Sequence, residues 1–269
     1  MRVGYVQMLP EHHDMEANLS SIEHLVTDVD ADLLVLPELC ITGYLFRSRE
    51  ELREFAQPIR GGSVFKRLSK IAKTARSNLV VGTVERYRSK LYNAAVIITR
   101  TGEILSPSYR KLHLFWDEKD LFDPGNVLPA VYRLDNDISI GLMVCFDWAF
   151  PELPRSLALQ GADVICHCAN LVLPYAQGAA VTRAIENRVF VILANRVGIE
   201  ELGAKRLHFT GHSRIVEPGG TVLRDADGTS ERVDVVNIDI SKARDKMLTP
   251  RNHALNDRRP DMYPRLGLQ

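Results

Sequence analysis

The chain has 269 residues, enough for one large hydrophobic core or two small ones. Its 45% hydrophobic and 25% charged residues are the balance of an ordinary globular protein. Lys plus Arg equals Asp plus Glu at 34 each, which leaves no basic surplus to attract nucleic acid or an anionic membrane.

In chain order, Arg2 to Met8 alternates around Val3, Tyr5 and Val6 and predicts a strand. Its apolar run is too short for a signal peptide, and no stretch approaches the roughly 18 apolar residues of a membrane span, so the cytoplasm is the expected location. Leu19, Ile22, Leu25 and Val26 then keep a helical period, and LLVLP (33–37) is a short continuous apolar run, the mark of a strand buried on both faces. A second helix is predicted over 63–76. NLVVGTV, LYNAAVIIT and GEILSPSY follow as a strand meander with Thr101-Gly102 in one turn. ISIGLMVCF (138–146) predicts another buried strand. Pro151 suits the first turn of the next helix and Gly161 its end.

ADVICHCA predicts a strand, 176–188 a helix, and VFVILAN a strand again. HFTGHSRIVE, GTVLRDAD and ERVDVVNIDI read as hairpin strands, with Gly219-Gly220 turning the first pair. With no repeat and no Gly/Ser linker, residues 1–246 read as one α/β layered domain. Residues 247–269 read as a polar tail, rich in Arg and Pro, that packs on the domain or on a second subunit.

In such folds functional groups gather where loops leave the carboxyl ends of strands. Glu38 directly follows the dry run LLVLP, where desolvation makes a carboxylate a stronger base; a structural ion pair is the alternative. Lys111, in SYRKLHLFWDEKDLFDPG (108–125), suits a fixed positive charge for a developing oxyanion, against a solvated lysine as the plain alternative. Glu118 lies in the same stretch, among Phe115, Trp116 and Phe122, and His113 reads as a packed core histidine. Cys145 ends an apolar strand ahead of a helix start, a position that favours thiolate; an inert buried cysteine is the alternative. The chain's four cysteines, Cys40, Cys145, Cys166 and Cys168, are too few for a disulfide framework. Together these residues make a thiol, a base, a cation and a second acid, with no histidine placed to form the usual Cys–His pair.

These motifs resemble the nitrilase, or carbon–nitrogen hydrolase, superfamily. PELCITGY carries its glutamate onto Glu38, YRKLHLF its lysine onto Lys111, and GLMVCFDWAFPE its cysteine onto Cys145. DEKDLFDPG carries the fourth carboxylate onto Glu118, and CANLVLP and RAIENRVFVILANRVG resemble later blocks. The resemblance implies a four-layer α-β-β-α sandwich, paired into a homodimer or higher oligomer through the helices after the cysteine and after CANLVLP. It implies a thioester mechanism with neither metal nor organic cofactor. Glu38 is then the base, Lys111 and the Phe146 N–H hold the oxyanion, and Glu118 orients the substrate nitrogen. Tyr44, Phe115, Phe146, Trp148 and Asn170, with Trp116, are expected to line the pocket.

Ala149 stands where many amidase branches carry Arg, so no arginine contact carries over. Cys145-Phe146-Asp147 differs from the Cys-Trp-Glu of true nitrilases and leans toward a small amide or carbamoyl substrate. CFDW with ANLVLP resembles a prokaryotic branch that includes hydrolases of small aliphatic nitriles, so a nitrile substrate stays open. Arg183 is a candidate for binding a substrate carboxylate or for pairing with Glu186. Cys166-His167-Cys168 lacks the second ligand pair of a zinc site, and neither a Walker loop nor a G-x-G-x-x-G follows a strand. A non-catalytic binding protein of the same fold is the remaining alternative.

Overall fold

The computed structural model describes residues 1–263. Its elements begin with β1 (Arg2–Gln7), α1 (Met15–Thr27), β2 (Leu33–Val35), α2 (Arg49–Phe55), α3 (Ser63–Ala75), β3 (Asn78–Tyr87), β4 (Lys90–Ile98), β5 (Tyr109–Arg110) and α4 (Glu118–Leu121). They continue with β6 (Val131–Leu134), β7 (Ile138–Val144), α5 (Glu152–Leu159), β8 (Val164–Ala169), α6 (Gly178–Asn187) and β9 (Phe190–Asn195). The last third holds β10 (Val197–Leu202), β11 (Lys205–Thr210), β12 (Arg214–Val216), β13 (Val222–Asp225), β14 (Arg232–Asn237), α7 (Ser241–Arg244), β15 (Met247–Thr249) and β16 (Asn252–His253).

Two six-stranded sheets form, in the orders β14-β1-β2-β3-β4-β5 and β13-β12-β9-β8-β7-β6. The period of two in the strands explains how they stack. Along the first sheet Val3, Tyr5, Leu33, Val35, Val80, Ala95 and Ile97 face the second sheet. Their neighbours Val6, Leu34, Leu36, Leu79, Val81, Val96 and Ile98 face Leu19, Ile22 and Val26 of α1 and Phe65, Leu68 and Ile71 of α3. On the far side, α5 packs on β7 and α6 on β9 and β12. Gly141 leaves room for α5, since a Cβ there would lie 2.8 Å from Leu157 Cδ1. The layers are therefore α-β-β-α.

Most predicted elements form, with instructive differences. GEILSPSY is not a strand of the meander: only an isolated bridge between Ile98 and Ile104 and the two residues of β5 pair. Pro107 has no N–H to donate to a ladder, so the chain leaves the sheet there. The run HFTGHSRIVE is broken at Gly211 and His212, both at positive φ. Its first part pairs with β10 in a separate hairpin and its second joins the second sheet. The short helix α2 and strands β6 and β10 were not anticipated. Beyond the domain, β15 and β16 form a small hairpin and Leu255 packs against the core; residues 264–269 of the predicted tail lie outside the described residues. No helix among the described residues is long and apolar enough to cross a membrane.

Candidate active site

Three chain segments converge at the strand ends. After β2 the chain stays beside β3 through Leu36 N–H to Val80 O and Cys40 N–H to Gly82 O, and Glu38 turns between them. Gly82 makes this crossing possible: a Cβ there would lie 2.4 Å from Pro37 O and 2.5 Å from Glu38 Cα. Lys111 directly follows β5, its N–H donating to Asn93 O at 2.8 Å. Cys145 follows β7 and opens a 3-10 turn, Cys145–Ala149, with φ +41. The helix expected near Pro151 follows as α5, which starts at Glu152 with Pro151 at its N-cap; the 3-10 turn between it and β7 was not expected. Cys145 is buried and has a strained, left-handed backbone, which costs a non-glycine residue of order 1 kcal/mol and is held by its surroundings.

Lys111 is fully buried, and its Nζ donates to Glu38 Oε1 at 2.8 Å and to Glu118 Oε1 at 2.7 Å. Asn93 Nδ2 donates to the same Glu38 oxygen at 2.6 Å, while Glu38 Oε2 is buried with no hydrogen-bond partner among the described residues. Glu118 also accepts from the Tyr44 hydroxyl at 2.7 Å and, through Oε2, from Phe115 N–H at 3.0 Å. Burial pushes the Glu38 carboxyl up, and the Lys111 ammonium offsets only part of that. Burial works against the Lys111 ammonium, yet the Glu118 and Glu38 carboxylates outweigh it and its pKa is raised, so it stays charged. The Cys145 thiol is held well above its ordinary range by burial and by Glu38, against the pull of Lys111 and a hydrogen bond from the Asn170 backbone. Burial, with Glu118 and Glu38 nearby, raises the Tyr44 phenol too, so it remains a donor. The resting site thus holds a protonated thiol beside a strengthened base and a permanent cation.

The turn at Cys145 is fastened by residues the sequence reading missed. Asp147 is buried and accepts from Val144 N–H at 2.9 Å, the Tyr109 hydroxyl at 2.7 Å and His113 Nδ1 at 2.7 Å. It ties the cysteine turn to the segment that carries Lys111, and His113, stacked on Phe150, is its polar partner rather than a packed core histidine. His167 Nε2 lies 2.9 Å from Cys145 O, and burial pulls its imidazole down to about 4, so it donates as the neutral ring. Cys166-His167-Cys168 lies inside β8, buried, with the histidine committed to this backbone contact. In the sequence only the bare position of Asp147, two residues after Cys145, stood near this network, and its partners are not visible there.

Phe115, Phe146, Trp148, Asn170, Leu171, Val172 and Leu173 line a small cavity at Cys145, with about 10 Å³ of space for the centre of a water molecule. Both side-chain polar atoms of Asn170 are buried without partners among the described residues. Tyr44 and Glu118 line a second cavity of about 250 Å³ together with Trp116, which is exposed. Arg183 donates to Glu186 Oε1 and Trp148 O, both at 2.9 Å, so it is a structural pair.

The model of the carbon-nitrogen hydrolase family matches residues 2–246. A protein of Pyrococcus abyssi named nitrilase is 44% identical over 98% of this chain and 99% of its own length. An (R)-stereoselective amidase of a Pseudomonas species is 32% identical over 91% of this chain and 87% of its own. Among solved structures, a variant of the amidase from Nesterenkonia sp. AN1, with the acetamide moiety of fluoroacetamide added covalently at its active site cysteine, superposes with a TM-score of 0.80. It is 26% identical, covering 98% of this chain and 95% of that one. Fold, motif order and these similarities agree: the chain belongs to the carbon–nitrogen hydrolase family of the nitrilase superfamily and is an enzyme of the amidase and nitrilase type.

Proposed function

We propose that the enzyme hydrolyses the non-peptide C–N bond of a small amide or carbamoyl compound through a thioester on Cys145. The observation that carries this reading is the buried Glu38–Lys111–Glu118 array beside the thiol, with one Glu38 oxygen left without a partner among the described residues. In the first half-reaction Glu38 takes the thiol proton as Sγ attacks the carbonyl carbon. Lys111 and the Phe146 N–H hold the oxyanion, since fixed donors in a dry site need no reorganisation. The tetrahedral species collapses, the C–N bond breaks, and Glu38 returns the proton to the leaving ammonia or amine. In the second, Glu38 takes a proton from water as it attacks the thioester, and the thiol and carboxylic acid are released. Asn170, Tyr44 and Glu118 orient the substrate nitrogen and oxygen, and Phe115, Phe146 and Trp148 bound the acyl group. No step calls for a metal or an organic cofactor.

A nitrile is the second reading, favoured by the extended similarity to the Pyrococcus abyssi protein named nitrilase. There the thiol adds to the nitrile carbon, and two waters complete the acid and ammonia. The test is ammonia release from a panel of small amides, carbamoyl compounds and nitriles, with wild type beside Cys145→Ala. Turnover by wild type and none by the variant is expected, and the preferred compound separates the two readings. Turnover by Cys145→Ala would sink the thioester mechanism; no turnover by either protein would favour a binding role. We also infer that residues 1–246 form the catalytic domain, that 247–263 lie against it or a second subunit, and that the working unit is a homodimer.

A further inference from the structure

Far along the chain from the catalytic motifs, Glu200 of β10 is buried with its carboxylate turned into the loop that carries Tyr44. Glu200 Oε1 accepts from Tyr44 N–H at 2.9 Å and from Leu45 N–H at 2.5 Å. Its Oε2 accepts from Arg196 Nη1 at 2.5 Å. Arg196 is itself buried and lies under the Phe209 ring, its guanidinium carbon 4.1 Å from the centroid. The same Phe209 ring meets the Tyr44 ring edge to face at 5.8 Å. The loop's next carbonyl, Leu45 O, accepts from His12 Nε2 at 2.8 Å and lies 3.1 Å from His13 Nε2. Gly43, at φ +82, brings the backbone to this carboxylate, where a Cβ would lie 3.2 Å from Glu200 Oε2.

A buried ion pair is a weak source of stability, because desolvation offsets most of the Coulomb gain. What this one does provide is direction. Two adjacent backbone N–H groups are fixed on one oxygen, so the Tyr44 backbone has one orientation, and its hydroxyl reaches Glu118 Oε1 at 2.7 Å. That oxygen also accepts from Lys111 Nζ. We propose that Glu200, locked by Arg196, is a positioning residue for the reaction: it aims Tyr44, and through Tyr44 it fixes the Glu118 carboxylate against Lys111. The inference rests on the reading of Glu118 and Lys111 as catalytic groups.

The test is a double-mutant cycle. Glu200→Gln keeps the size of the side chain but offers one acceptor oxygen where three donors converge; Tyr44→Phe removes only the hydroxyl. Each is expected to lower kcat/KM about tenfold or more, mainly through kcat, and the double variant to be no worse than the poorer single one, because both cut the same chain of contacts. Multiplying losses would overturn the inference, as would a Glu200→Gln that lowers the melting temperature but leaves kcat/KM unchanged. If Glu200→Gln fails to fold because Arg196 is left unpaired, the cycle is run on Glu200→Gln with Arg196→Gln, which buries no lone charge. Cys145→Ala separates the two claims. Its inactivity beside an unimpaired Tyr44→Phe overturns this inference alone, whereas an active Cys145→Ala overturns the reading of the site and this inference with it.

Discussion

Lys111 carries a single charge between two carboxylates, at 2.8 and 2.7 Å, with no exposed surface. A compact ammonium fits that space, and a planar guanidinium does not. Lys111→Ala is expected to lose at least about 10²–10³ in kcat, and Lys111→Arg to restore none of it; steady-state kinetics with the preferred substrate decides, and near-normal Lys111→Arg turnover would remove the lysine from the mechanism. As the proposed base Glu38 would act only when deprotonated, and burial raises its pKa. As pH falls through that raised value the base is lost, so the acid limb of kcat/KM for a neutral amide should lie above the ordinary carboxylate value of about 4.3. A limb at or below that value counts against Glu38 as the base. Glu38 and Cys145 could be singled out in the sequence because each directly follows an apolar run, and Lys111 because of the motif YRKLHLF around it. Asn93, Asp147 and Glu200 could not, because their meaning lies in distant partners: Glu200 meets Tyr44 across 156 positions of chain, and nothing local to it signals that contact.

At the scale of elements, the site depends on close backbone crossings. β3 passes under the Glu38 turn at Gly82, where the atoms a methyl would meet are the backbone of Pro37 and Glu38. Gly82→Ala must push that turn outward. Overpacking of this kind costs about 1–3 kcal/mol, and a shift of about 1 Å in a catalytic group costs roughly 100-fold in rate. The variant should therefore melt modestly lower yet lose about 100-fold or more in kcat/KM; thermal melts beside kinetics check this, and wild-type kinetics would show that the crossing does not set the base. Periodicity found β1 to β4, β7 to β9 and the long helices because their burial pattern repeats along the chain. It failed at β5 and at the 3-10 turn of Cys145, where the backbone is fixed by tertiary hydrogen bonds such as those to Asp147 and His167. Intrinsic preference has little say at such positions.

For the whole molecule, Leu159 at the end of α5 and Ile185 in α6 are 48% and 45% exposed, and Tyr175, ahead of α6, is 66% exposed. Exposed apolar groups of this size are candidates for an interaction surface. In the proposed homodimer they are covered, so light scattering should give twice the 30.3 kDa chain mass, and Leu159→Asp with Ile185→Asp should reduce it to one chain. A single-chain mass for wild type at micromolar concentration would refute the pairing. The layered architecture was legible from the alternation of strands and helices, but the order of the strands was not. The second sheet, built from β6 to β9 with β12 and β13, is an insertion between β5 and β14 of the first, and the separate β10-β11 hairpin lies within the same stretch of chain. Glu38 and Lys111 leave the first sheet, and Cys145 leaves the second. Under the proposed mechanism, turnover is consequently a gauge of how the two sheets are seated on each other. A slight slippage between them, one that leaves both sheets intact and the circular dichroism spectrum unchanged, would part the thiol from its base and silence the enzyme well before it melts.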